Sequence, residues 1–363
     1  MNKRLLWFVL LVLLAASLLL WRHFRPAERI PVGLVLWTAS GAVVGSSELN
    51  AGELFLEEYP DSRIRLLPLD DEWNPEKTFP VIQGAKDAGV RFFIATHPSN
   101  CARPSLPLFT NPGALMINLA SASPDLSGKD DFFLRIIPDA VQEQRAIARY
   151  LHQLPGRRLL VLQDTANPPY TDPAFAAFAA ELAALGHWQI VHHPLRVAEF
   201  KPDDERALMA EPFDAVYILA GSFQTAVGNI AQLFHYIHPQ APILLTPWAR
   251  SPAILETAGA AIDRIILPSP YPSRRQDPAL DDYFRRFRSR FGYEAHAMTI
   301  GVRQALELLD RAFAQGDTDP LAVKRFLLSA PVHLTSLGPI TFDPTGDVGG
   351  TYSFITDLKQ ELQ

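Results

Sequence analysis

The sequence predicts an α/β protein of two doubly wound parallel-sheet lobes, preceded by one apolar N-terminal segment. Three observations predict it. Short apolar runs alternate with amphipathic stretches at the spacing of strand–helix–strand units, which places helices on both faces of a parallel sheet. The alternation starts at Pro31 and begins again after Asp139. The length, 363 residues, accommodates two domains.

The N-terminal segment comes first. Lys3 and Arg4 precede Leu5–Trp21, an uncharged run of about 17 residues, near the lower limit for a membrane span. A cleaved secretory signal carries small residues directly after its apolar core. Here Leu18-Leu19-Leu20-Trp21-Arg22 follow, and Ala15, Ala16 and Ser17 lie inside the core. Residues 1–25 therefore read as an uncleaved transmembrane anchor in preference to a cleaved signal. No cysteine follows the segment, which excludes a lipoprotein anchor. Basic residues flank it on both sides, so charge does not set its orientation.

Residues 22–30 read as a polar linker. Pro31–Trp37 is a first buried strand, and Ser46–Tyr59 a helix with Ser46 or Ser47 as its N-cap. Arg63–Pro68 is a second strand, and Pro80–Ala88 a helix closed by Gly89. The stretch from Phe92 to Asp139 is the most informative. Apolar runs at 92–95 and 114–117 each open into a hydroxyl-rich loop, Thr96–Asn100 and Ala120–Leu126, and Phe132–Ile137 is a third run. Strand ends of this kind build small-molecule sites in open α/β sheets. After Asp139 the elements are a helix at 141–154, a strand at 158–162 and an alanine-rich helix from Pro173 to Leu185. Strands at 188–192, 215–220 and 242–245 follow, with a helix at 224–235 before the last of these. A strand at 264–268 leads into Pro268-Ser269-Pro270-Tyr271-Pro272, then helices at 277–291 and 297–315. The chain ends in a strand, a turn and a last strand, Tyr352–Ile355.

Composition narrows the function. With 48% hydrophobic and 20% charged residues the chain is ordinarily globular. A net charge of −6 and no long basic run after residue 30 argue against nucleic acid as a partner. The single cysteine, Cys101, excludes an intramolecular disulfide and a cysteine-based zinc site. There is no G-x-S-x-G elbow and no GxxxxGK[ST] loop. His235 and His238 share a helix with no third ligand in sight. No enzyme, cofactor or metal site is expected.

The order of these pieces resembles the type I periplasmic solute-binding proteins, the family of the leucine/isoleucine/valine-binding protein. The carriers are Gly41–Gly52, the stretch LRIIPDAVQEQRAIARY at 134–150 and GPITFDPTGD at 338–347, collinear over residues 31–357. The resemblance implies two lobes joined by three crossovers, near Ile137–Asp139, Pro268–Pro272 and Ser336–Gly338. Lobe 1 would hold residues 30–137 and 270–337, and lobe 2 residues 138–269 and 338–363. A small-molecule ligand would be clamped between them, with an ABC permease or a membrane signalling protein as partner. It also implies a location on the periplasmic side of the inner membrane, tethered by the N-terminal helix or released by its cleavage. The alternative is an envelope structural or regulatory protein that keeps the fold and uses its surface for protein contacts.

The resemblance also implies site residues. Ser99 falls at a carboxylate-binding serine with Asn100 beside it; both can equally cap a helix. Ala122 stands where the family often has threonine, between Ser121 and Ser123. Asp139 matches an acid position, and Tyr170 a ligand-facing aromatic that can also be a packing residue. The loop that offers glutamate in branched-chain amino-acid binders reads Thr246-Pro247-Trp248-Ala249-Arg250 here. Trp248 and Arg250 point instead to an aromatic or acidic ligand, with a guanidinium gripping a carboxylate. Trp37 is placed either to stack on the ligand or to pack in the core.

Overall fold

The computed structural model describes residues 29–38, 43–221 and 224–362; the expected membrane segment lies outside them. Among the described residues no helix is long and apolar enough to cross a membrane.

The first half runs β1 Ile30–Leu36, α1 Val43–Glu58, β2 Ile64–Asp70, α2 Pro75–Asp87, β3 Phe92–Ala95, α3 Ser99–Ser105, β4 Leu115–Asn118 and β5 Phe133–Arg135. Its five strands pair in parallel in the order β2-β1-β3-β4-β5. β3 and β4 are buried at every residue, as a strand covered on both faces must be. The second half runs α4 Ala140–His152, β6 Arg158–Asp164, α5 Pro168–Leu185, β7 Gln189–Leu195, α6 Pro202–Met209, β8 Ala215–Leu219, α7 Ala226–Ile237, β9 Ile243–Leu244, α8 Ala253–Thr257 and β10 Ile265–Ser269. Then come α9 Pro278–Phe291, α10 Met298–Ala314, α11 Pro320–Ser329, β11 His333–Thr335, β12 Gly338–Ile340, β13 Ser353–Ile355 and α12 Leu358–Glu361. The second sheet is ordered β13-β10-β9-β8-β6-β7, and β13 joins it antiparallel to β10, an edge departure from the all-parallel expectation.

Helices α9, α10 and α11 return to the first sheet. Phe287, Leu306 and Leu327 share a core with Phe93 and Ile117. Ile340, Phe342 and Val348 belong to that core too, while Ile355, Leu358 and Leu362 pack under the second sheet. The third passage between the cores therefore falls between Val348 and Ser353, later than Ser336–Gly338.

Local chemistry moved several boundaries. α2 starts at Pro75 because Asn74 accepts the Glu76 N–H at 2.9 Å and proline suits the first helical position; Pro80 lies inside the helix. α5 likewise starts at Pro168 and carries Pro173 within it. α1 starts at Val43, so Ser47 is a buried interior residue whose hydroxyl accepts the His296 N–H at 3.0 Å.

Candidate functional site

In an open α/β sheet the binding crevice lies at the carboxyl ends of the strands where the strand order reverses. The first sheet reverses between β1 and β3, beside Trp37 and Thr96–Ser99; the second between β6 and β8, beside Asp164–Asn167 and Gly221. The two crevices face each other. The Asn100 N–H donates to Asn167 Oδ1 at 3.2 Å, and Asn167 Nδ2 donates to the Gly221 carbonyl at 3.0 Å. One side chain thus ties the two halves together at the cleft.

Two small cavities lie between the halves. The hinge-side one, about 30 Å³, is bounded by all three passages of the chain (Pro138, Pro270 and Tyr352) and by Glu143, Arg250 and Tyr271. The other, about 20 Å³, is bounded by Trp73, Thr96, Pro98, Ala120 and Gly221. Trp248, His296 and Met298 line both.

The two hydroxyl-rich loops meet. Ser99 is fully buried at the start of α3, and its Oγ accepts the Ser123 N–H at 3.1 Å. Ser121 Oγ donates to the His97 carbonyl at 2.8 Å. Among the described residues Ser123 Oγ and Asn100 Oδ1 are buried without hydrogen-bond partners. Buried Arg135 braces this loop, donating to the carbonyls of Ser121 and Ser123 and pairing with Asp347 at 2.7 Å.

Other expected residues hold structural positions. Asp139 caps α4, accepting the Gln142 N–H at 2.9 Å. Tyr170 is buried in the second lobe, where its hydroxyl donates to Glu143. Trp248 packs edge-on against the Tyr170 ring at 6.0 Å and faces the cleft. Arg250 departs from the expectation. It borders the hinge-side cavity, but it forms a buried ion pair with Glu361 and donates to Ser269 Oγ at 2.7 Å. A guanidinium already neutralised in this way is not free to grip a ligand carboxylate. Trp37 is half-buried and packs on Trp73, ring centroids 5.8 Å apart, not on the cavities.

Four residues were missed. Trp73 follows β2 in a turn where both Glu72 and Trp73 have left-handed backbone, φ 53° and 50°. Asp70 and Asp71 accept the N–H groups of Glu72 and Trp73 at 2.9 and 3.0 Å and hold that turn. The signal was present: an aromatic after a strand end, just before the Asn-Pro start of a helix. His296 and Met298 come from the entry to α10. Burial, with the charge of Arg250 as the lesser cause, pushes His296 down to about 4. Glu143, in the first turns of α4, is pushed up to about 7 by burial, against the hydrogen bonds from Tyr170 and Gln144.

A family model described as periplasmic binding protein matches residues 30–361. The chain belongs to the periplasmic binding protein family. Its arrangement is the type I one, similar to the branched-chain amino-acid binders. The chain is 22% identical over 295 residues to the Leu/Ile/Val-binding protein of Escherichia coli strain K12, covering 80% of this chain and 78% of that protein. A leucine binding protein from Thermotoga maritima superposes with a TM-score of 0.78 at 18% identity, covering 90% of this chain and 97% of the other. The solute binding protein of an ABC transporter from Rhodopseudomonas palustris BisB5, solved with 3,4-dihydroxybenzoic acid, gives 0.77 at 17% identity, covering 90% and 92%. As a family member the chain is a solute-binding protein of the ABC-transporter type, and the family works by binding, not catalysis.

Proposed function

We propose that this protein is an extracytoplasmic receptor that closes its two lobes on a small carboxylate, for an ABC permease or a membrane signalling protein. The carrying observation is that the two switch-point crevices wall one cavity, with Trp73, Thr96 and Pro98 from one half and Gly221 and Trp248 from the other, and that among the described residues Trp73 Nε1 is buried there without a hydrogen-bond partner. Such an atom is costly unless something polar meets it. The hydroxyls of Ser99 and Ser123 suit an anionic end, since Ser121 Oγ–H is taken by the His97 carbonyl, and Trp73 and Trp248 offer faces to a flat body. The 246–250 loop has no acid to meet an α-ammonium group. The Rhodopseudomonas relative, with its aromatic carboxylate, supports this choice over aliphatic amino acids.

The test is a thermal-shift panel of aromatic carboxylates against leucine and valine, since a ligand of the native state raises stability by mass action. Aromatic carboxylates should stabilise; tight leucine or valine binding would overturn the ligand class. Ser99→Ala should weaken binding of the best carboxylate by roughly 0.5–3 kcal/mol, the range for a lost hydrogen bond, including one to a charged group. Calorimetry showing unchanged affinity would remove Ser99 from the site.

The membrane tether is part of the same proposal. A mature N-terminus between residues 18 and 30, read by mass measurement, would replace it with a cleaved signal. The small cavities favour one second reading, an envelope protein that acts through its surface. It gains if no carboxylate in the panel stabilises the fold.

A further inference from the structure

We infer that the hinge-side cavity receives a hydroxyl group of the ligand, with Glu143 as its hydrogen-bond acceptor. The inference rests on the cleft reading above and narrows its ligand class to hydroxylated aromatic carboxylates.

Three observations carry it. Glu143 borders the cavity while buried in the second lobe. Its Oε1 accepts both Tyr170 Oη–H and Gln144 Nε2–H, and among the described residues Oε2 receives no hydrogen bond. The first pair fixes the carboxyl's orientation, and the second oxygen is left as the acceptor on the cavity side. The size comes next. A cavity of about 30 Å³ holds roughly two water-sized groups. It is too small for a ring and large enough for a substituent on a ring lying against Trp248. The third is charge. Arg250 borders the same cavity already paired with Glu361, and a neutral hydroxyl entering this buried space costs less to desolvate than an ammonium group. Burial pushes the Glu143 carboxyl up to about 7, so Oε2 accepts as a carboxylate above that pH, where the binding is measured. A site built to accept a hydrogen bond discriminates strongly against an analogue that cannot donate it.

The experiment is calorimetry on the whole chain with 4-hydroxybenzoate, benzoate and 4-(aminomethyl)benzoate. The hydroxylated acid should bind about tenfold or more tighter than benzoate, the value of one well-placed hydrogen bond, and the aminomethyl acid most weakly. Glu143→Leu should bring the hydroxy-to-plain ratio to within about threefold. Glu143→Gln, which keeps an acceptor and the native shape, should give an intermediate ratio and serves if the leucine variant does not fold. Equal wild-type affinities for benzoate and 4-hydroxybenzoate would overturn the role of Glu143 and leave the cleft reading standing. So would a hydroxyl preference that survives in both variants, or tightest binding of the aminomethyl acid. No binding of any of the three acids overturns the inference together with the aromatic-carboxylate reading.

Discussion

Replacing Glu361 with alanine is expected to cost about 3–5 kcal/mol of unfolding free energy, the usual result of stranding one member of a buried ion pair. Glu361 is 1% exposed and Arg250 2%. The carboxylate accepts from Arg250, from Ser273 Oγ at 2.5 Å and from the Arg274 N–H at 3.2 Å. It therefore ties the short C-terminal helix α12 to the segment leaving β10. Without it the Arg250 guanidinium stays buried with, among the described residues, Ser269 and the Pro272 carbonyl as its remaining hydrogen-bond partners. Urea denaturation measures the loss; less than about 1 kcal/mol would falsify this account of the pair. The double variant Arg250→Met, Glu361→Leu should recover much of the loss, because a packed apolar pair carries no uncompensated charge.

The second large effect depends on pH. Glu48 is fully buried on α1, with the Thr96 hydroxyl donating to Oε2 at 2.7 Å and, among the described residues, Oε1 without a partner. Burial, with Asp71 adding to it, pushes its carboxyl from 4.5 up to about 8. Below 4.5 both folded and unfolded chains hold the proton, and Glu48 makes no pH-dependent contribution. Between 4.5 and 8 the unfolded chain has released the proton and the native state keeps it, so stability falls as pH rises. Each unit of the interval is worth about 1 kcal/mol, to which Glu143 adds in the same direction up to about 7. His296 opposes them between about 4 and 6.5, since its unfolded form takes a proton that the buried imidazole refuses. The clean window is therefore about pH 7 to 8. There the wild type should lose stability and Glu48→Gln should lose much less, with the two nearly equal at pH 5. Parallel curves for the two proteins across that window would show that Glu48 ionises as freely in the fold as out of it.

Much of this architecture could be read from the chain because buried parallel strands announce themselves. Phe92–Ala95, Leu115–Asn118 and Ala215–Leu219 are apolar runs too short for helices and bounded by polar turns. Helices that start on proline were harder. Pro75 and Pro168 stand at first helical positions, and the prolines that follow, Pro80 and Pro173, drew the expected start too late. Helices α6 and α11 begin in the same way and were not foreseen. At the site, Ser99 and Ser123 come together because strand-end loops on neighbouring strands β3 and β4 must meet. Arg250 could not be judged from its own loop, since its partner Glu361 lies 111 positions away in sequence. Asp139 and Tyr170 matched a pattern, but cap geometry and the carboxyl of Glu143 decide what they do.

The left-handed pair Glu72 and Trp73 places this chain under two selection pressures that a single turn can separate. Left-handed backbone costs a non-glycine residue roughly 1–2 kcal/mol, so glycine at either position would relax it. Glu72 is exposed and does not border the cleft, while Trp73 forms part of the cavity wall. A lineage drifting toward heat tolerance could therefore accept glycine at 72 with its cargo unchanged. Glycine at 73 would relax the same backbone but remove an indole that packs on Trp37 and lines the cavity. Which of the two sites has moved among natural variants would then record whether the backbone turn or the cavity wall was the tighter constraint.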